Sequence, residues 1–220
     1  MIFDLPVTLS FGGRSWPIHS DYRDVLRTLS AFEDPDITDE EKAYICLHNL
    51  YPDFEDIPPE DLQAAFDAAI AFIDHGNDDP GGPRAACPRI SDSGQAVFAK
   101  GENCPPNSEG FGRATRPRTM DWAQDAPLIF PAVNRAAGLE VRSVEYMHWW
   151  TFLGFFMEIR DTTYATVLGL RQKKYGKHRK KLEKHEQEFW KNNRSICELK
   201  TRYTEEDLAE QEALSRLLGG

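Results

Sequence analysis

Nucleophilic and metal chemistry need histidine, cysteine or carboxylate side chains at particular intervals, and this chain offers few such intervals. His19, His48, His75, His148, His178 and His185 form no H-x-x-x-H or H-E-x-x-H pattern. Cys46, Cys87, Cys104 and Cys197 contain no C-x-x-C pair and read as free thiols of a reducing compartment; a Cys87–Cys104 loop closure would require export. Asp53, Asp56 and Glu60 lie among prolines, as a charged loop and helix start do, rather than as a general acid and base. There is no P-loop, no G-x-G-x-x-G after a strand and no G-x-S-x-G. The expectation is a protein with no enzymatic activity, no cofactor and no bound metal.

His148 has the most distinctive setting, inside VEYMHWWTFLGFFMEI, residues 144–159. From Tyr146 to Ile159 this stretch would span about 21 Å as a helix, short of the roughly 30 Å hydrocarbon core, and His148, Thr151 and Glu158 interrupt it. A membrane role is therefore not expected. As a helix it places Met147, Trp150, Gly154 and Met157 on one stripe and Tyr146, Trp149, Leu153 and Phe156 on another. A helix apolar nearly all round lies within a bundle, or between a core and a partner. His148 lacks a nucleophile and further ligands, so it is expected to be structural, bonded to a neighbour such as Asp121 or Asp125.

A second candidate is RQKKYGKHRKKLEK, residues 171–184, with bases Arg171, Lys173, Lys174, Lys177, Arg179, Lys180, Lys181 and Lys184. Following aromatic helices, it has the composition of a phosphate-binding arm. It lacks an RNP motif, zinc fingers and a clear helix-turn-helix, and the acidic first half would oppose DNA. A solvated helix face or an acidic protein partner is the preferred reading, with nucleic acid as the alternative.

The net charge of −10 is unevenly placed. Residues 1–79 hold eighteen acids against four bases, 171–202 twelve bases against four acids, and 203–220 five acids against one base. Opposite blocks attract within one molecule or between copies, so self-association is a further expectation. At 220 residues with 40% apolar content the chain can bury a core, and its start lacks the basic and apolar regions of a signal peptide. An intracellular globular protein is expected.

The elements that position these residues read as mainly α with a small N-terminal β-hairpin. Val7, Leu9 and Phe11 alternate before Gly12-Gly13, and residues 14–18 return as an edge strand. Ser20 is the expected cap of a helix through Phe32, and Thr38 with Glu41 has capping-box spacing for the next. A third helix opens at Pro58-Pro59 and stops before Gly76. The Gly- and Pro-rich residues 77–119 have no apolar face and read as a flexible linker between two helical halves, 1–76 and 120–202. In the second half Asp121 and Gln124 have capping-box spacing and Gly138 stops the helix, with a kink or broken first turn expected from Pro127 and Pro131. Ser143 and Asp161 are the expected caps of the next two helices, and a last long helix is expected from Lys180 to Lys200. Residues 203–220 read as an acidic tail, helical or disordered.

MDWAQDAPLIFPAVNRAAG, YMHWWTFLGFFMEI, LRQKK and KLEKHEQEFW, in that order, resemble the bacteriophage family named after gene product fifteen, as do DLPVTLSFGGRSWPIHSDYRDVLR and the helix ending FIDHG. The resemblance covers about residues 1–76 and 120–200. It implies a tail-morphogenesis protein, a tail assembly chaperone acting beside the tape measure protein and the major tail protein in the host cytoplasm, with no catalytic residues. Its carried-over positions are Asp121, Trp122, Gln124 and Asp125 in D-W-x-Q-D, and His148, Trp149, Trp150 and Phe152 in H-W-W-x-F. With Phe155 and Phe156 these are candidates for packing or partner binding.

Overall fold

The hairpin turns on Gly12 and Gly13, both left-handed (φ 57° and 70°), the pairing of signs a two-residue turn of this hand requires. A Cβ on Gly12 would also overlap the Asp61 carboxylate. Strands β1 (Thr8–Phe11) and β2 (Arg14–Pro17) pair antiparallel, Leu9 opposite Trp16 and Phe11 opposite Arg14. Phe11 and Trp16 are buried and stacked, whereas Val7, on the same alternation, is exposed. The computed structural model describes residues 4–75, 118–176 and 180–200, with the backbone of 89–90 and 96–97. Nearly all of the expected linker, the expected tail at 203–220, and Lys177 and Arg179 lie outside the described residues.

Helix α1 (Tyr22–Phe32) is capped by Asp21, not Ser20. The Asp21 carboxylate takes the Arg23 amide and guanidinium and also the Met147 amide, three partners that a serine hydroxyl could not satisfy together. Helix α2 (Asp39–Leu50) begins in the expected reciprocal box between Thr38 and Glu41. Single 3-10 turns at Phe54–Asp56 and Pro59–Asp61 lead into α3 (Leu62–Ile73). Residues Arg89–Ile90 (β3) and Ala96–Val97 (β4) pair as a short antiparallel ladder.

Helix α4 (Trp122–Ala137) runs continuously through both prolines and ends on Gly138 at φ 70°. Pro127 and Pro131 lie one turn apart on the exposed side, so the carbonyls of Ala123 and Pro127 that lose a helical donor can be hydrated. Helix α5 (Trp149–Met157) starts five residues later than a cap at Ser143 implies. Ser143 closes a 3-10 turn instead, and the chain before His148 is extended, pairing with the entrance of α1. Tyr22 donates to the Met147 carbonyl, Trp149 to the Ser20 carbonyl, and Asp21 and His148 form a β-bridge. Helix α6 (Thr163–Tyr175) is capped by Thr162, because Asp161 is left-handed (φ 52°). The expected long final helix is two, α7 (Lys184–Asn192) and α8 (Arg194–Cys197), broken at Asn193, whose side chain bonds the Phe189 carbonyl.

Both helical halves contribute to one core. Val25, Leu47, Phe66 and Ala69 belong to the same buried cluster as Ile129, Val133, Trp149 and Phe152. A smaller cluster holds Val167, Leu170, Trp190 and Cys197.

Candidate functional site

The H-W-W-x-F residues join the halves. His148 is the N-cap of α5: its Nδ1 accepts the Trp150 amide at 3.0 Å. Its Nε2 lies 2.9 Å from the Pro6 carbonyl, which can only accept, so Nε2 carries the proton and the ring is neutral. The expected partners Asp121 and Asp125 are engaged elsewhere; the cap role needs no carboxylate. The two indoles donate to the last turn of α3, Trp149 to the Ile73 carbonyl at 2.9 Å and Trp150 to the Phe72 carbonyl at 2.8 Å. Carbonyls at a helix end lack intrahelical donors, so the tryptophans of one half finish a helix of the other. Phe152 stacks on Tyr22 at 4.5 Å, and Phe156 meets Trp122 at 5.0 Å. Phe155 and Phe156 are half-buried, while Gly154 and Met157 are exposed, Met157 at 72%. The stripe read from Met147 to Met157 therefore divides: Met147 is buried before the helix and only its far end reaches solvent.

The D-W-x-Q-D residues organise the N-terminus of α4. Asp121 accepts the Gln124 amide at 2.7 Å, but the reciprocal half of the box is made by Asp125, which takes the Asp121 amide at 3.0 Å. Gln124 is thereby released to grip the backbone of the final segment, donating to Glu198 and accepting from Lys200. Trp122 packs against Trp149 and donates its amide to Glu33.

Asp125 pairs with Arg171 at 2.7 and 2.9 Å, and both are buried. Arg171 gives its remaining donors to the carbonyls of Thr119, Ile196 and Cys197. All five N–H groups of the guanidinium are used within the fold, so Arg171 does not belong to a surface phosphate-binding arm. The rest of the basic run divides as well. Lys173 pairs with Glu186, whose carboxyl that bond holds below the usual range, and the Lys174 amine sits 4.0 Å from the Trp190 ring centroid. Lys180, Lys181 and Lys184 are exposed. Among the described residues no cluster of His, Cys, Asp and Glu could hold a metal, and no helix is long and apolar enough to cross a membrane.

One feature has no counterpart among the sequence motifs. An open trough of about 310 Å³ runs between α6 and α7, lined by Ala165, Thr166, Gly169 and Leu170 on one side and His185 and Phe189 on the other, with the Lys173–Glu186 pair at one end. Gly169 in the middle of α6, four residues after Ala165, is the signal that a pattern of apolar positions passes over.

Fold and motifs together define a mainly helical protein in which the residues of the two motifs hold helices to one another. The profile of the family described as Bacteriophage Gp15 protein matches residues 2–199, and the chain belongs to that family. Membership indicates a bacteriophage structural or morphogenesis protein. No curated protein and no solved structure matches the chain.

Proposed function

We propose that the chain is a non-enzymatic tail-morphogenesis protein, a tail assembly chaperone that holds the tape measure protein, the tail-tube protein or both in the host cytoplasm until assembly. Family membership supports the phage context. The observation that carries the chaperone reading is the open, largely apolar trough between α6 and α7, surface left for another chain to cover. Tape measure proteins are long helical chains with apolar stripes, and shielding such stripes keeps them soluble. The motif residues Asp121, Gln124, Asp125, His148, Trp149 and Trp150 are engaged inside the fold, which favours a surface as the working part over a chemical centre.

Nucleic-acid binding through residues 171–184 draws less support, since Arg171 is enclosed and Lys173 and Lys174 have partners within the chain. Co-expression with the tape measure protein of the same phage tests the choice. A soluble complex that survives high salt is the expected result. An insoluble tape measure protein together with salt-sensitive retention of this chain on DNA would overturn the proposal.

A further inference from the structure

Tyr44 is 56% exposed on α2, yet its ring meets two others: the His48 ring stacks on it at 5.8 Å, one turn along the helix, and Phe54 approaches edge-on at 5.3 Å from the following 3-10 turn. Phe54 packs against the core, while Tyr44 and His48 are exposed. Carboxylates border these rings. Glu40 lies one turn before Tyr44 on the same face of α2, and Asp53 and Glu55 flank Phe54. All three are exposed and, among the described residues, none is in an ion pair. The four bases of residues 1–79 are engaged elsewhere: Arg23 and Arg27 pair with Asp21 and Asp24, Arg14 lies over Trp16, and Lys42 is buried. Rings beside unpaired carboxylates make a surface that favours ammonium groups. The same chain carries the complement. Lys180, Lys181, Lys184 and Lys191 are exposed at and just before α7, against the exposed acids Glu183 and Glu188, and none of the four is in an ion pair among the described residues. Helix α2 packs on α1 and α3 in the larger apolar cluster, whereas α7 packs on α8 and puts Trp190 into the smaller one, so the two faces lie on different parts of the molecule.

We propose that the partner of each face is a second copy of this chain: the lysines around the start of α7 in one copy dock on the Tyr44–His48–Phe54 face of another, their ammonium groups over the rings and against Glu40, Asp53 and Glu55. The proposal stands apart from the chaperone reading, which concerns a different partner. Ammonium groups over aromatic faces, and lysine stems laid on the rings, add to ion pairs that would be weak alone. The two surfaces differ, so a pair of copies keeps one of each free, and association continues into a ring if the rotation closes or an open row if it does not. Like faces repel, which makes acidic face against basic segment the favoured docking, and its strength falls as salt rises.

Sedimentation velocity on the whole chain, over a wide range of concentration at low and at high salt, tests this. The expected result is a mass that grows with concentration at low salt and returns to that of the monomer at high salt. Asp53→Lys with Glu55→Lys makes the face basic, and Lys180→Glu, Lys181→Glu with Lys184→Glu makes the segment acidic. All of these positions are exposed, and circular dichroism checks that both variants fold. Each variant alone is expected to associate about tenfold or more weakly than wild type. An equimolar mixture of the two is expected to recover association, because the native face of one then meets the native segment of the other. Tyr44→Ser removes an exposed ring and keeps every charge; it is expected to weaken association as well, and it reads the same face should a charge variant not fold. A chain that stays monomeric at every concentration and salt overturns the proposal. So does association that these substitutions leave unchanged, or a mixture that stays as weak as its components.

Discussion

Arg171 shows how a residue's role depends on what reaches it. In sequence it opens a basic run; in the structure it is enclosed, paired with Asp125 and bonded to three backbone carbonyls. Removing one member of such a pair leaves an uncompensated buried charge, at about 3–5 kcal/mol. Asp125→Leu and Arg171→Leu are each expected to lower the unfolding free energy by about that much in urea titrations, and the double variant by clearly less than their sum. Additive losses would mean that the two groups are not coupled. At the surface, Glu140 accepts from the Arg142 side chain and from Asn134, and the Arg142 bonds hold its carboxyl down at about 2. A carboxyl depressed in the fold contributes stability above its unfolded pKa and loses it as pH falls through the folded one. Carbon-detected NMR titration should therefore show Glu140 ionised at pH 3.5 and protonating near 2; a midpoint above 4 would remove the Arg142 contact from the account.

At the scale of elements, α4 tolerates two interior prolines because its exposed side lets water replace the lost donors. Proline in a helix interior costs about 3 kcal/mol relative to alanine, offset by its restriction of the unfolded chain. Pro131→Ala should raise Tm by a few degrees, about 2–4 °C for each kcal/mol recovered; a lower Tm would show that the proline supports packing of its own. Helix existence and the hairpin were legible in the sequence: alternation, the Gly-Gly turn, the Thr38–Glu41 box and the Gly138 stop each have local causes. The starts of α1 and α5 were not, because partners distant in sequence decide them, and α6 takes Thr162 as its cap because Asp161 is left-handed. Asp21 prevails over Ser20 through Arg23 and Met147, and α5 waits for His148 because the preceding residues pair with α1. The D-W-x-Q-D and H-W-W-x-F residues could be picked out by type and spacing, but their partners up to 142 positions away could not. Gln124 reaches Lys200, and Trp149 reaches Ile73.

For the whole molecule, the consequence is that the two halves complete one another. Trp149 and Trp150 finish α3, Phe152 stacks on Tyr22, and the core passes through both. The body so held presents the α6–α7 trough at its surface, while the charge of the first 79 residues is strongly negative. On the function proposed above, such a molecule would work by offering surface to the tape measure protein of the tail. The most direct test is deletion of the gene from the phage, with electron microscopy of the lysate. The account predicts filled heads without tails, restored when the chain is supplied in trans; tailed, infectious particles in undiminished numbers would contradict it.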